Sequence, residues 1–186
     1  MAQPQKLAVV GAGLVGQRHI AAINQVPGVE LVAVVEPGPS DQTVPVYPDL
    51  DALFAASDVD GIILSTPTLL HVQGAMACVE RGIPVLIEKP LVTRIEDVEP
   101  VRAAVAAHPA PVWVAMEYRY MPPVTRLREH IQAGDAGPVS MLSIREHRFP
   151  FLPKVGDWNR FNQYTGGTLV EKCCHFFDLM RNVANL

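Results

Sequence analysis

The sequence predicts an α/β fold, in which a doubly wound parallel sheet over residues 1–120 is followed by an incomplete α+β domain over residues 121–186. Three observations lead to this prediction. Short apolar runs rich in β-branched residues alternate with segments of helical periodicity, which is typical of parallel strands covered by helices on both faces. A glycine-rich turn separates the first run from the first helical segment. Beyond Tyr120 the alternation stops at two consecutive prolines.

Each element of the first domain is predicted from its own local pattern. The apolar runs, which glycine, proline or polar residues bound, predict strands. The segments with apolar residues at helical spacing predict helices. The predicted strands cover residues 7–10, 30–36, 61–65, 85–87 and 112–116, and the predicted helices cover residues 14–26, 49–56, 69–81 and 95–108.

The second domain has a less regular pattern. We predict a helix over residues 124–132, a strand over 139–145 and a terminal helix over 168–185. Between them, residues 149–164 are aromatic, interrupted by proline and aperiodic, which predicts a loop. The terminal helix carries several large apolar residues with little sequence left to cover them, so we expect an incomplete domain with exposed apolar surface.

Composition excludes several classes of protein. A net charge of -4 and a pI near 5.8 provide no basic surface for nucleic acid. The three cysteines, two of them adjacent, indicate a reducing compartment and suggest neither a disulfide framework nor a metal site. The first residues lack the features of a signal peptide, and no apolar stretch approaches the roughly 18 residues of a membrane helix, so we expect a cytoplasmic protein.

The glycine-rich turn has the spacing G-x-G-x-x-G. Gly11 permits a tight turn, Gly13 lets a pyrophosphate approach the backbone, and Gly16 allows the helix to pack closely on the strand. Leu14 and Val15 between them open the helix, whose N-terminal amides attract phosphate. Because the motif lies between a strand and a helix, it predicts a Rossmann dinucleotide site; the alternative is a tight loop without a ligand.

An acidic residue at the end of the second predicted strand indicates which dinucleotide is bound. Glu36 lies 20 residues beyond Gly16, where a carboxylate accepts hydrogen bonds from the adenine ribose hydroxyls and repels a 2′-phosphate. No lysine or arginine follows before Leu53. The sequence therefore favours NAD over NADP, and the alternative reading of Glu36 is an ordinary solvated loop residue.

Four segments in fixed order carry a resemblance to a known family. They are GAGLVGQRH from Gly11, STPTLLH from Ser65, EKPL from Glu88 and GGTLVEKCCH from Gly166. Together they resemble the Gfo/Idh/MocA family of NAD(P)-dependent oxidoreductases over essentially the whole chain. The resemblance implies hydride transfer from a secondary alcohol of a sugar or cyclitol, such as an inositol, to NAD. It also implies a homo-oligomer for the full-length protein.

The resemblance assigns the central roles to two residues. Lys89 would bind the reacting hydroxyl and stabilise a developing alkoxide, and Glu88 would orient it. His175 would accept the proton. Glu171 lies four residues before His175, where many family members carry aspartate; it is a catalytic candidate that could pair with Lys172, Lys89 or the substrate. The alternative for Lys89 is a solvent-exposed lysine without a catalytic role, and the alternative for His175 is a structural histidine.

Further residues receive roles from the same resemblance. The cofactor candidates are Ser65, Thr66, Pro67, His71, Glu88, Lys89 and Arg119, and the substrate candidates are Lys89, Trp158, Arg160 and His175. His71 could instead cap the following helix, and Arg119 could instead form a structural salt bridge. At the level of function, the alternative to a dehydrogenase is an NAD-binding module without catalytic activity.

Overall fold

The computed structural model describes residues 3–135, 137–147 and 154–184, except for the side chain of Val155. The chain forms two compact units, Met1–Ala115 and Met116–Leu186. The division falls five residues before the predicted boundary at residue 120. It assigns the single turn of 3-10 helix at Glu117–Tyr120 to the second unit.

The first unit is a six-stranded sheet in which every neighbouring pair of strands is parallel, in the order β3-β2-β1-β4-β5-β6. This confirms the predicted fold class. In chain order its elements are β1 (Gln5–Val10), α1 (Leu14–Ile23), β2 (Val29–Val35), β3 (Val46–Tyr47), α2 (Leu50–Ala56), β4 (Gly61–Leu64), α3 (His71–Glu80), β5 (Val85–Ile87), α4 (Val98–Ala106) and β6 (Val112–Val114).

Both faces of this sheet are buried, which explains why its strands are continuous apolar runs. On one face, Ala8 and Val10 of β1 belong to a core cluster with residues of the other strands and α3. On the other face, Val9 belongs to a second cluster with Ile20 and Ile23 of α1. Helix α1 is thus fixed to the sheet through residues of its second half.

The sequence analysis did not predict β3. It contains only two residues, lies between Pro45 and Pro48, and pairs with the end of β2 at the edge of the sheet. A run this short has no periodicity that separates it from a loop. Two predicted helices also begin differently, because single 3-10 turns at Thr68–Leu70 and Ile95–Asp97 precede α3 and α4.

All regular elements of the second unit among its described residues are helical, and residues 137–147 are irregular. After the turn at Glu117–Tyr120 come α5 (Pro122–Ala133), a 3-10 segment at Val155–Arg160, α6 (Asn162–Thr165), α7 (Thr168–Glu171) and α8 (Cys174–Ala184). The strand predicted over residues 139–145 is wrong. A strand needs a hydrogen-bonded neighbour, and the described part of this unit contains no other strand.

Two other predictions for the second unit need correction. The predicted loop over residues 149–164 contains the helical segments that begin at Val155 and Asn162, while residues 148–153 lie outside the described residues. The predicted helix over 168–185 is interrupted, and Asn185 also lies outside the described residues. The carbonyl of Thr168 accepts bonds from the amides of both Lys172 and Cys173, which closes α7 before α8 begins.

Candidate functional site

The glycine turn requires two of its three glycines for steric reasons. Gly11 has φ +88°, and a Cβ there would lie 2.9 Å from the backbone of Ser65. A Cβ on Gly16 would lie 1.9 Å from the carbonyl oxygen of Gly11, so that α1 could not begin so close to the turn. These contacts match the tight turn and close helix packing predicted for the two residues.

Gly13 is different because a Cβ there would meet no atom within 4 Å. It is the N-cap of α1, and no side chain among the described residues caps this end of the helix. Leu14 and Val15 form the first turn, with Leu14 half exposed. Open space over uncapped amides at a helix N-terminus is the arrangement that a pyrophosphate fits.

Glu36 follows β2 and contacts the glycine turn directly. Its Oε2 accepts the amide N–H of Ala12 at 2.8 Å, and its Oε1 accepts the amide N–H of Gly38 at 3.3 Å. The carboxylate is therefore held beside the turn at the carboxyl edge of the sheet, where a ribose attached to a bound pyrophosphate would lie.

The turn after β4 is bonded to the glycine turn through Ser65. Its hydroxyl donates to the carbonyl of Gly11 at 2.8 Å and lies 3.2 Å from that of Val10. Thr66 Oγ1 is buried and has no hydrogen-bond partner among the described residues. Pro67 follows and precedes the 3-10 turn.

His71 lies beneath these turns. Its side chain is 1% exposed, and its Nδ1 and Nε2 lie 2.8 Å from the carbonyl oxygen of Pro90 and 3.0 Å from that of Thr66. Burial lowers the pKa of the imidazole below its usual value, although the two carbonyls oppose this. The ring lies between the turns after β4 and β5, and its burial keeps it away from a ligand in the glycine turn.

Glu88 and Lys89 follow β5 at the same edge of the sheet. Glu88 Oε1 accepts a hydrogen bond from His19 Nε2 of α1 at 2.8 Å, and its Oε2 accepts the amide N–H of Lys89 at 3.3 Å. Burial raises the pKa of Glu88, but the hydrogen bonds and charges of His19 and Lys89 outweigh it and leave the pKa below its usual value. The sequence analysis missed His19 as a separate candidate, although it closes the GAGLVGQRH segment.

In the second unit, consecutive residues after β6 pair with α8. His175 of α8 is 2% exposed, and its Nε2 lies 3.5 Å from Glu117 Oε1. The ring of Tyr118 stacks on the imidazole with centroids 4.1 Å apart and planes 5° from parallel. His175 is therefore a buried ring whose orientation is fixed by Tyr118 and Glu117.

Arg119 continues this pairing. Its guanidinium forms a two-point hydrogen bond with the carboxylate of Asp178, with Nε 2.6 Å from Oδ2 and an Nη2 contact to Oδ1. The hydrogen bond to Asp178 raises the pKa of Arg119 above its usual value. This geometry favours the salt-bridge reading over direct contact with a cofactor, because the planar donors already face a carboxylate.

Lys172, named above only as a possible partner of Glu171, is a buried cation. It is 7% exposed, and its Nζ donates to the Tyr118 hydroxyl and lies 3.2 Å from Glu146 Oε2. Lys172 thus pairs with Glu146 and Tyr118. Glu171 and His175 are both buried but lie on separate helices, whereas the predicted helix over 168–185 contains both.

Glu171 instead lines an open cleft of about 380 Å³ within the second unit. The cleft also contains Arg160, together with Asn159, Asn162, Thr165, Gly167 and Thr168. Arg160 Nε donates to Asp157 at 3.3 Å, while Trp158 is covered by the ammonium of Lys154 at 4.6 Å. Amide, hydroxyl, guanidinium and carboxylate groups in one cleft are suited to a ligand rich in hydroxyls.

Within the described residues, no three histidine, cysteine, aspartate or glutamate side chains come together as a metal site would require. In the same part of the chain, no helix combines the length and apolar character needed to cross a membrane.

Two family models match the chain. One, described as the oxidoreductase family with an NAD-binding Rossmann fold, covers residues 5–116. The other, described as the C-terminal α/β domain of the oxidoreductase family, covers residues 128–185. Both carry the Gfo/Idh/MocA name, and the first confirms the predicted NAD-binding domain.

Individual relatives agree with this result. The chain is 30% identical over 184 residues to the rhizopine catabolism protein MocA of Rhizobium meliloti, which covers 95% of this chain and 56% of that protein. It is 35% identical over 142 residues to inositol 2-dehydrogenase 4 of Saccharopolyspora erythraea, covering 71% of this chain and 42% of that protein. The chain thus spans about half the length of these curated relatives.

A solved structure supports the fold. The scyllo-inositol dehydrogenase of Lactobacillus casei, crystallised with NAD(H) and scyllo-inositol, superposes with a TM-score of 0.81 at 21% identity. The match covers 98% of this chain and 57% of that one. At this identity the likeness concerns the fold alone.

Proposed function

Because this chain belongs to the Gfo/Idh/MocA oxidoreductase family, we propose that it acts in the NAD-dependent oxidation of a secondary alcohol on a cyclitol or sugar. The observation that carries the proposal is the shared edge of the first unit. There the uncapped start of α1, the Glu36 carboxylate and the turn with Lys89 all follow the carboxyl ends of parallel strands. In doubly wound sheets this edge is where ligands bind.

NAD, when bound, supplies the acceptor for the hydride that leaves the alcohol carbon. Gly13 and the first turn of α1 would hold its pyrophosphate, and Glu36 would accept hydrogen bonds from its ribose. The ammonium of Lys89 would bind the reacting hydroxyl and stabilise negative charge on its oxygen. His175 would accept the hydroxyl proton, with Glu117 stabilising the imidazolium that results.

The inositol names of several relatives support a cyclitol as the substrate class. The cleft lined by Arg160 and Glu171 is consistent with such a ligand because its polar groups can pair with several hydroxyls. Trp158 lies in the same segment and would provide an apolar ring face for the substrate.

The central experiment measures reduction of NAD with a panel of inositols and aldoses. We expect Lys89→Met to lower kcat by about a hundredfold or more, as removal of a group that stabilises a developing oxyanion does. Lys6→Met is the matched control, because Lys6 is exposed at the start of β1, the opposite edge of the sheet. Equal rates for Lys89→Met and the unchanged protein would refute the role of Lys89.

Cofactor choice has a separate test. We expect NADH to bind at least about tenfold more tightly than NADPH, a difference of about 1.4 kcal/mol, because Glu36 would repel a 2′-phosphate. Glu36→Gln should reduce this preference, while Glu30→Gln, an exposed carboxylate at the start of the same strand, should leave it unchanged. Fluorescence titration of each variant measures both constants, and tighter binding of NADPH would contradict the assignment.

A second candidate function is NAD binding without catalysis. The burial of His175 favours it, since a proton acceptor must reach its substrate. This alternative predicts NADH binding without reduction of NAD by any alcohol in the panel, in both the unchanged protein and Lys89→Met.

A further inference from the structure

His19 connects two parts of the cofactor edge that different strands position. It lies on α1, six residues after Gly13, and its Nε2 donates to Glu88 Oε1 at 2.8 Å. Helix α1 follows β1, and Glu88 follows β5; β4 separates these strands in the sheet. The bond therefore spans the carboxyl end of β4.

The connection continues from Glu88 to the residue after it. The second carboxylate oxygen of Glu88 accepts the amide N–H of Lys89 at 3.3 Å. Both side chains of the pair are only about one-fifth exposed, at 21% for His19 and 18% for Glu88. A hydrogen bond to an ionised group is strong when it is shielded from water, so this one can fix the carboxylate and with it the Lys89 backbone.

A different histidine thus lies at each end of the turn that contains Lys89. His71 faces the carbonyl of Pro90 on the far side, and His19 holds Glu88 on the near side. His71 is anchored to the neighbouring turn at Thr66, whereas His19 belongs to the helix whose first turn faces the pyrophosphate site. Of the two, only His19 belongs to that helix.

We propose that His19 is a positioning residue that couples occupancy of the NAD site to the placement of Lys89. The inference rests on the proposed function, in which Lys89 binds the reacting hydroxyl. A small movement of α1 when its first turn binds phosphate would pass through His19 and Glu88 to the Lys89 amide. Because a helix moves as a rigid body over one or two turns, this route needs no further contact.

The test uses the whole chain with two substitutions of His19 and one control. His19→Ala removes the donor, whereas His19→Gln retains an amide N–H near the position of Nε2. His130→Gln is the control, because His130 forms a similar pair with Asp135 at 2.6 Å on the exposed surface of α5. The main measurement is the rate at which an amine-acylating reagent modifies Lys89, followed by mass spectrometry with and without NADH.

We expect NADH to change the Lys89 modification rate in the unchanged protein, in His19→Gln and in His130→Gln. In His19→Ala this change should disappear, and carbon NMR should show a rise in the pKa of Glu88, because burial then acts without its main opposing hydrogen bond. If dehydrogenase activity is present, His19→Ala should lower kcat about tenfold with the KM for NAD within about twofold, as expected for a displaced catalytic group.

The outcomes separate this inference from the proposed function. If His19→Ala keeps the NADH-dependent change at Lys89, or Glu88 keeps its low pKa, the inference is overturned. If no variant reduces NAD with any alcohol, the proposed function fails, while the modification and NMR results still decide the role of His19. If His19→Ala does not fold, His19→Asn replaces it, since its shorter amide does not reach Glu88 and should behave as the alanine variant.

Discussion

The cofactor edge of the first unit and the paired residues of the second unit are built from different kinds of bond. In the first unit, side chains bond mainly to the main chain: Glu36 to Ala12, and Ser65 to Gly11. In the second unit, side chains bond to other side chains: Arg119 to Asp178, and Lys172 to Glu146. Main-chain groups exist at every residue, so motif spacing predicts the first kind, whereas the second depends on which partner the fold supplies.

The largest expected effect comes from substitutions in the glycine turn, which test whether main-chain geometry determines the cofactor edge of the first unit. We expect Gly16→Ala to lower the free energy of unfolding by about 3 kcal/mol or more and to abolish NADH binding, because its Cβ would overlap the Gly11 carbonyl. Gly13→Ala should fold normally, since its Cβ meets nothing, but bind NADH more weakly. Thermal unfolding and NADH titration measure both; equal stability of the two variants would refute the steric account.

Cysteine alkylation tests the two units separately, because each unit contains a cysteine whose reaction rate can be measured. Cys78 is fully buried in the first unit, and burial raises the pKa of its thiol to about 12, with Arg81 opposing. Cys173 of the second unit is partly exposed. We expect iodoacetamide to label Cys173 at least about a hundredfold faster than Cys78 in the folded protein. In denaturant the two rates should converge, and a fast Cys78 without denaturant would contradict the described core.

The paired residues of the second unit should contribute to stability, with a smaller effect. Arg119→Met leaves the largely buried carboxylate of Asp178 without its two-point partner, so we expect a loss of about 2 kcal/mol in urea unfolding. The control is Arg102→Met, which removes an exposed pair with Glu99 on α4 and should cost less than about 0.5 kcal/mol. NADH affinity should not change in either variant. A cost for Arg119→Met no larger than the control would show that the pair is not structural.

The smallest expected effect is a pH dependence at Glu88. Its pKa in the folded chain lies below the ordinary value of about 4.3, so its ionised form stabilises the fold above that pH. This contribution is lost as the pH falls through the folded-state pKa. We expect the difference in unfolding free energy between the unchanged protein and Glu88→Gln to narrow over that range. A difference independent of pH would show that the carboxyl is not held in its charged form.

Much of the first unit could be predicted because its signals are local. The apolar runs of β1, β2, β4 and β5 reflect burial on both faces, and the glycine spacing reflects sterics within one turn. The two-residue strand β3 has no such signal. The predicted strand over 139–145 failed for a related reason, because an apolar run specifies a strand only when a neighbour is present to pair with it.

The site residues show the same division. The sequence alone placed Glu36, Ser65 and Lys89 at or just beyond the ends of strands, and parallel strands bring such positions to one edge of a sheet. It could not show that His71 lies beneath that edge, since the sequence of a turn does not indicate whether a histidine in it is buried or exposed. It also could not show that Glu171 and His175 lie on separate helices, because the hydrogen bonds that end α7 form between backbone groups of the folded chain.

The sequence by itself determined most strands and helices of the first unit and the glycine turn, which depend on residues close together in the chain, and the family, which depends on four short segments in fixed order. Only the tertiary structure decided the pairs His19 with Glu88, Lys172 with Glu146 and Arg119 with Asp178. These partners lie 69, 26 and 59 residues apart. A charged or polar side chain accepts any complementary partner within reach, so the choice among candidates is made when packing brings one of them within hydrogen-bonding distance.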